Sequence, residues 1–522
     1  MKLYQEGIGL HPVDIFIIII SLILTLYIAY HFSSGQKSTK KFFVAEGNIP
    51  SWAVGMSLLA TIVSSITFLA YPGAGFSNNW ILLVQGVLVA ITLLIIIWVI
   101  VPLYRNIIGI SAYEYFEQRF GYFARFYASL AFVLAYFSKM GTILYLVGLA
   151  IASMVGIDPL VVIWTLGIFV LILTLSGGME AIIWLDVIQG FLLIAGGVVV
   201  LTILVFSIDG GVITIWQIAN RHDRIGFGPY NWDFVNLTFW VMAINGFFFA
   251  IQNFGTNQLI VQRFLAARSN KEAIKASLIG ILLSIPLWSL FMFIGTALFV
   301  FYQLNPQLLS DNTSADAVFP LFIMHELPIG ITGFVISALI AAAFSSLDSE
   351  LNSISAVLTE DFYSRVRKNA TDKQKLVFGK WMIVVAGVLA MLVATSYTLI
   401  GSEGALSTVF TLYAIFSGGI AGIFLLGIAS KRANKQGLYI GVISCIIFTG
   451  YAVATSTSFN NRLILDFGQW NFTHHKYMLG VYSHIIVLIV GYIASLFFKS
   501  PNIDINLTYL GWLNIKRKSI ET

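Results

Sequence analysis

Apolar residues run in long blocks along nearly the whole chain, and the short segments between the blocks hold almost all of its charges. A helix rises ~1.5 Å per residue, so about 20 apolar residues span the ~30 Å hydrocarbon core of a bilayer. Thirteen blocks can be delimited, at 13–32, 51–76, 80–104, 122–154, 159–176, 181–207, 236–265, 273–303, 328–362, 377–400, 404–429, 437–456 and 478–498. They predict an all-α polytopic membrane protein with about 13 transmembrane helices. Two blocks are interrupted. In 51–76, apolar residues give way to Thr61, Ser64, Ser65 and Thr67, followed by Pro72-Gly-Ala-Gly75. In 236–265 the interruptions are Asn245-Gly246 and the run from Gln252 to Gln258. These blocks are five apart and therefore cross the membrane in opposite directions. Polar residues in membrane helices often serve only helix–helix hydrogen bonding. A symmetric pair of interruptions points instead to an inverted repeat of two five-helix halves, with the transport site at the breaks.

The block 328–362 differs in kind. Between Ser345 and Ser353 it carries four serines, an aspartate, a glutamate and an asparagine. On a helix, Ser345, Asp348/Ser349 and Asn352 share one face. Burying such groups at hydrocarbon depth costs several kcal/mol each, about 2–7 for a neutral polar group, unless something uses them. The face reads as a cation path.

Composition and charge narrow the class. The 522 residues are 58% hydrophobic and 10% charged, against about 25% charged in a soluble protein. The single cysteine, Cys445, excludes a disulfide framework and a cysteine metal cluster. The run from Val13 is longer than a signal-peptide core and reads as a retained helix. With the N-terminus outside, 23 Lys/Arg fall in cytoplasmic segments and 5 outside, with Lys139 inside a block. That bias predicts an N-out, C-in protein of the cell (plasma) membrane and explains the basic balance without nucleic acid. The longest outside loops, 208–235 and 304–327, leave no room for a catalytic or output domain, and no nucleophile–base pair or metal triad is visible. An integral membrane enzyme is not expected.

Depths along the blocks test which polar groups meet. Ser64 and Thr67 lie ~20–24 Å from the inner end of their block and Lys139 ~25 Å into its own, near mid-membrane. A lysine there ordinarily faces a cavity and a partner. Asp348, ~30 Å from the outer end of its block, is placed level with Asp186 in the inner half. Carboxylate and hydroxyl oxygens meeting there suit a hard cation such as Na⁺; two carboxylates can instead share a proton.

The residues Ile49-Pro-Ser-Trp-Ala53, Ser64-Ser-Ile-Thr-Phe68, Ser111-Ala-Tyr-Glu-Tyr115, Gly177-Gly-Met-Glu180, Asp186-Val-Ile-Gln-Gly190, Val261-Gln-Arg263, Ala341-Ala-Ala343 with Ser345-Ser346, and Leu351-Asn-Ser353 follow in an order that resembles the sodium:solute symporter family (sodium/glucose cotransporter-like). The likeness is closest to its bacterial sialic acid transporter branch. It implies a five-plus-five inverted-repeat, leucine-transporter-like core with discontinuous first and sixth core helices. The expected parts are an extra helix and basic loop at 1–50, repeats at 51–207 and 234–429, and two further helices with a tail at 430–522. It also implies a shared Na⁺ site at the carbonyls of Ala60, Val63 and Ala342 and the hydroxyls of Ser345 and Ser346. A second cation site is implied at Asp186, Ser345, Asp348 and Ser349, where Asp348 stands in place of a serine of that branch. Solute contacts are implied for Ser64 and Thr67, and Lys139 takes the place of an arginine. Gln85 is displaced by one position from the family's sugar-site glutamine.

The function expected is sodium-coupled symport of a small polar organic solute by alternating access, with Na⁺ as coupling ion, one or two per cycle. A sugar or sialic acid-like sugar acid comes first among solutes, and monocarboxylates or related organic anions or vitamins second. A passive channel or uniporter is the rival of another class, distinguished by uptake indifferent to Na⁺. The transport unit is expected to be a monomer in the lipid bilayer.

Overall fold

The computed structural model describes residues 10–32, 38–310, 312–400, 418–459 and 462–513. Among them the regular elements are helices apart from one short β-pair, Ser458–Phe459 with Arg462–Leu463. Nine of the described helices are long and apolar enough to cross a membrane, and Ser51–Ile62 with Ser65–Ser77 forms one further span bent by 53°. The described part of every predicted block is helical, although the first part of block 404–429 lies outside the described residues.

Two predicted blocks, 159–176 and 181–207, follow each other without a connecting loop, in the helical run Pro159–Phe206. As one rod its 48 residues would measure ~72 Å, more than twice the membrane core. Gly178, at φ 57° and ψ −167°, breaks the run in a conformation that a residue with a Cβ rarely adopts. The block 236–265 is also interrupted, but not where the pattern placed the first break. The helix Phe239–Thr256 runs straight through Asn245-Gly246 and ends at Asn257, after which Gln258–Ala266 begins. Asn257 turns the chain because its extended backbone lets its side-chain oxygen accept from the Leu259 N–H at 3.0 Å, capping the second half.

The serine-rich block forms Ile331–Val357, continued through a π-helical turn at Leu358–Tyr363. The last 23 residues of that α-helix are all buried, including every polar one. The N-terminal helix Pro12–His31 anchors its start: the buried Asp14 accepts from the N–H groups of Gly330 (2.7 Å) and Gly333 (2.8 Å).

The helix Asn270–Leu304 clamps the broken span from the side. A Cβ on Gly295 would stand 2.2 Å from the Pro72 carbonyl oxygen, and one on Gly75 2.3 Å from that of Met292. Only glycine permits this backbone approach, which is how membrane helices gain dispersion contact without a hydrophobic drive. The outer half of the broken span is covered by Ala315–His325, a helix within what the pattern left as an external loop. Its Phe319 ring packs 5.3 Å from Phe68.

Candidate functional site

A break in a helix frees backbone groups. The last carbonyls of Ser51–Ile62 and the first N–H groups of Ser65–Ser77 have no partner within their helices. The serine-rich helix lies against the freed carbonyls. The Ser345 hydroxyl donates to the Ala60 carbonyl at 3.3 Å and to the Ala342 carbonyl at 3.1 Å, and the Ser346 hydroxyl lies 3.3 Å from the same Ala342 oxygen. Ala60, Ala342, Ser345 and Ser346 thus bring two carbonyls and two hydroxyls together, all buried. Val63, also buried, is the residue at which the first half-helix ends, with φ −99° and ψ 91°. Hard oxygens from an interrupted helix and a polar helix face are the donor set a Na⁺ ion takes.

One turn further along lies a second cluster, organised by a residue that charge counting had placed among the cytoplasmic cations. Arg263 is fully buried. Its guanidinium donates to Asp186 Oδ2 (2.8 Å), the Ser349 hydroxyl (2.7 Å), the Ser57 hydroxyl (2.8 Å) and the Leu259 carbonyl (2.9 Å). Ser57 in turn donates to Asp186 Oδ2 at 2.5 Å. Ser349 lies 3.4 Å from Asp348 Oδ1. Asp186, Asp348 and Ser349 therefore meet, as their spacing predicted, but around a guanidinium. Asp186 Oδ1, Asp348 Oδ2 and both side-chain amide atoms of Gln189, one turn beyond Asp186, are buried without a hydrogen-bond partner among the described residues. Two aspartates and one arginine leave a formal charge of about minus one in a water-excluded cluster, and buried charge is costly without compensation. The free carboxylate oxygens fit a cation.

Lys139 is not isolated. Its ammonium is 2.6 Å from the fully buried Glu350 carboxylate and 5.1 Å from the centre of the Tyr136 ring. Measured from the helix ends that Arg125 and Asp361 place on the same side, Tyr122 to Lys139 is 17 residues and Val366 to Glu350 is 16, so both stand ~25 Å from that side. The sequence placed Asp348 and its neighbours deeper than Lys139 because it measured from the outer end and ended the helix too early. The π turn and its continuation to Val366 raise the whole polar face to the level of Lys139.

Ser64 sits at the start of Ser65–Ser77 and Thr67 in its first turn, both buried, and neither hydroxyl has a partner among the described residues. The Gln85 amide donates to Asn245 Oδ1 at 2.9 Å, and Asn245 donates to the Tyr477 carbonyl at 3.0 Å. Asn245 is thus a link to a C-terminal helix and not the break itself.

Two further connections escaped sequence reasoning. Gln262 joins Asn352 (3.3 Å) and Ser353 (2.5 Å), tying the inner half of the second broken span to the serine-rich helix. Asp361, in the π turn, accepts from Ser111 (2.8 Å), Ser129 (2.5 Å) and Arg125 (Nε, 2.8 Å). The motif Val261-Gln-Arg263 carried the one available signal for Arg263; nothing along the chain paired it with Asp186.

Residues 42–445 match the sodium:solute symporter family. The chain is 33% identical over 476 residues to the sodium/sialic acid symporter NanT of Aliivibrio fischeri, covering 91% of each chain. It is 37% identical over 428 residues to the sodium/sialic acid symporter SiaT of Proteus mirabilis, covering 81% of this chain and 86% of that one. A solved substrate-bound, outward-open Na⁺-coupled sialic acid symporter superposes with a TM-score of 0.85 at 34% identity, covering 94% of this chain and 99% of the other.

Proposed function

The chain belongs to the sodium:solute symporter family and is a sodium-coupled symporter, and we propose that its cargo is a small polyhydroxylated solute, a sugar or a sugar acid. The observation that carries the site assignment is the Ser345 bridge between the Ala60 and Ala342 carbonyls. It joins the broken span to the serine-rich helix at one buried cluster of oxygens. Na⁺ taken up there by Ala60, Val63, Ala342, Ser345 and Ser346 neutralises freed carbonyl dipoles on one element and hydroxyl dipoles on the other. Its binding energy therefore depends on the distance between those elements, and an ion can bias an equilibrium only through such differential contact. The oxygens of Asp186, Asp348, Ser345 and Ser349 form the second cation site.

The solute lies beside Ser64, Thr67 and Lys139, with Gln85 at its rim. The first turn of Ser65–Ser77 offers free N–H groups and two unengaged hydroxyls to solute oxygens. Through residues 345–353 the serine-rich helix touches the broken span at Ala60, Arg263 of the second cluster and Lys139, and it is the coupling element. The repeats at 51–207 and 234–429 alternate around it, in a monomeric unit of the plasma membrane with its N-terminus outside. The relatives named for sialic acid support a sugar-derived solute.

Uptake into proteoliposomes with and without a Na⁺ gradient, against sialic acids, hexoses, inositol and short carboxylates, tests this. Na⁺-driven uptake of a sugar or sugar acid, reduced in Ser346→Ala, is expected. Uptake indifferent to both Na⁺ and Ser346→Ala overturns the site assignment, and uptake confined to short carboxylates overturns the solute class.

A further inference from the structure

Glu350 belongs to none of the cation or solute contacts assigned above, yet it is fully buried and its only ion-pair partner among the described residues is Lys139, 2.6 Å away. The Lys139 side chain keeps 22% of its surface exposed, so one side of the pair is open to a space that the other is not. A bare ammonium at this position would attract an anion. Here its charge is already cancelled, and releasing it to another partner would strand a buried carboxylate, which is the costly way to break a buried pair. A solute carboxylate at Lys139 would also stand beside the Glu350 carboxylate, and like charges in a low-dielectric site repel strongly. Uncharged hydroxyls meet neither obstacle. An ammonium has three N–H donors, and its close ion pair with Glu350 leaves donors for hydroxyl oxygens.

We propose that Glu350 sets the solute specificity of this symporter: by holding Lys139 neutralised, it selects uncharged polyhydroxylated sugars over sugars that carry a carboxylate. The proposal rests on the placement of the solute site beside Lys139. Glu350 acts through Lys139 and is a positioning residue.

The test is Na⁺-driven uptake of N-acetylneuraminate and of the uncharged N-acetylmannosamine, each competing with the other, in proteoliposomes. Wild type should favour the uncharged sugar. Glu350→Gln frees the ammonium and should move the ratio at least about tenfold toward the acid, equivalent to ~1.4 kcal/mol. Lys139→Gln leaves the carboxylate alone and should move it the opposite way. The double variant Lys139→Gln/Glu350→Gln, neutral on both sides, should return toward the wild-type ratio, so the two single variants carry the test, and either one suffices where the other fails to fold. A wild-type preference for the acid, or a ratio that none of these variants moves, overturns the proposal while leaving sugar symport intact. Absence of Na⁺-driven uptake of every sugar, neutral or acidic, overturns the sugar reading and this inference together.

Discussion

Arg263→Gln removes the charge at the centre of the buried cluster while keeping a side chain able to hydrogen-bond. In the native protein the guanidinium makes four bonds of 2.7–2.9 Å, one of them to a carboxylate, with no solvent contact. Removing one partner of a buried ion pair typically costs ~3–5 kcal/mol, because the remaining charge stays buried and uncompensated. The Na⁺-free variant should be less stable by about that amount. With the guanidinium gone, Asp186 and Asp348 present two negative charges, and a cation between them gains. Each tenfold gain in Na⁺ affinity closes ~1.4 kcal/mol of the deficit at saturating Na⁺, because a ligand at a hundredfold its dissociation constant stabilises by ~2.7 kcal/mol. Thermal unfolding of the purified protein in detergent, titrated with NaCl against choline chloride at constant ionic strength, reads both effects. The expected result is a large gap from wild type without Na⁺ that narrows as Na⁺ is added. A variant that unfolds like wild type without Na⁺, or whose deficit is the same at every Na⁺ concentration, would refute the idea that Arg263 and a cation share these carboxylates.

Four other outcomes are expected. Ser346→Ala, which deletes one hydroxyl beside the Ala342 carbonyl, should raise the Na⁺ concentration for half-maximal uptake about tenfold, a loss of ~1.4 kcal/mol; an unchanged Na⁺ titration removes Ser346 from the ion's ligands. Asp348→Ser takes away the extra carboxylate and should weaken Na⁺ activation or lower the Hill coefficient, and an identical titration places Asp348 outside the site. Gly295→Val puts side-chain atoms where the Pro72 carbonyl now lies and should cost ~1–3 kcal/mol by overpacking, visible as a lower melting temperature in detergent; an unaltered one denies the close approach. At the N-terminal end of Lys476–Leu496, His475 accepts from the Tyr477 N–H at 3.3 Å, and burial pushes its pKa down to about 4. The folded state keeps it neutral where the unfolded chain protonates it, so its stabilising contribution is complete above pH 6.5 and is lost as pH falls from there toward 4. His475→Asn should flatten that part of the stability–pH curve, and a curve of unchanged shape assigns the acid sensitivity elsewhere.

The alternation of apolar blocks and charged connections determined by itself that the chain is a bundle of membrane helices, because a backbone in hydrocarbon has no other way to satisfy its polar groups. The oxygens of residues 345–349 were also legible, since a helix face that polar at hydrocarbon depth is too costly to lack a use. Family likeness supplied Ala60 and Ala342 as their partners, and the hydrogen bonds of Ser345 agree. What the sequence could not determine were pairings between distant segments. Arg263 counts as one more cytoplasmic cation until the turn at Asn257 carries it 0% exposed against Asp186. Asn245-Gly246 reads as a helix break until the Asn245 amide finds Gln85 and Tyr477. Lys139 reads as a mid-membrane cation facing a cavity and an unnamed partner, and Glu350 as nothing in particular, until two helices of unequal length bring them within 2.6 Å. Periodicity and composition act over a few turns of one helix. Which charge cancels which is settled by the packing of helices far apart in the chain, and here it sets Lys139 against Glu350 and Arg263 against Asp186.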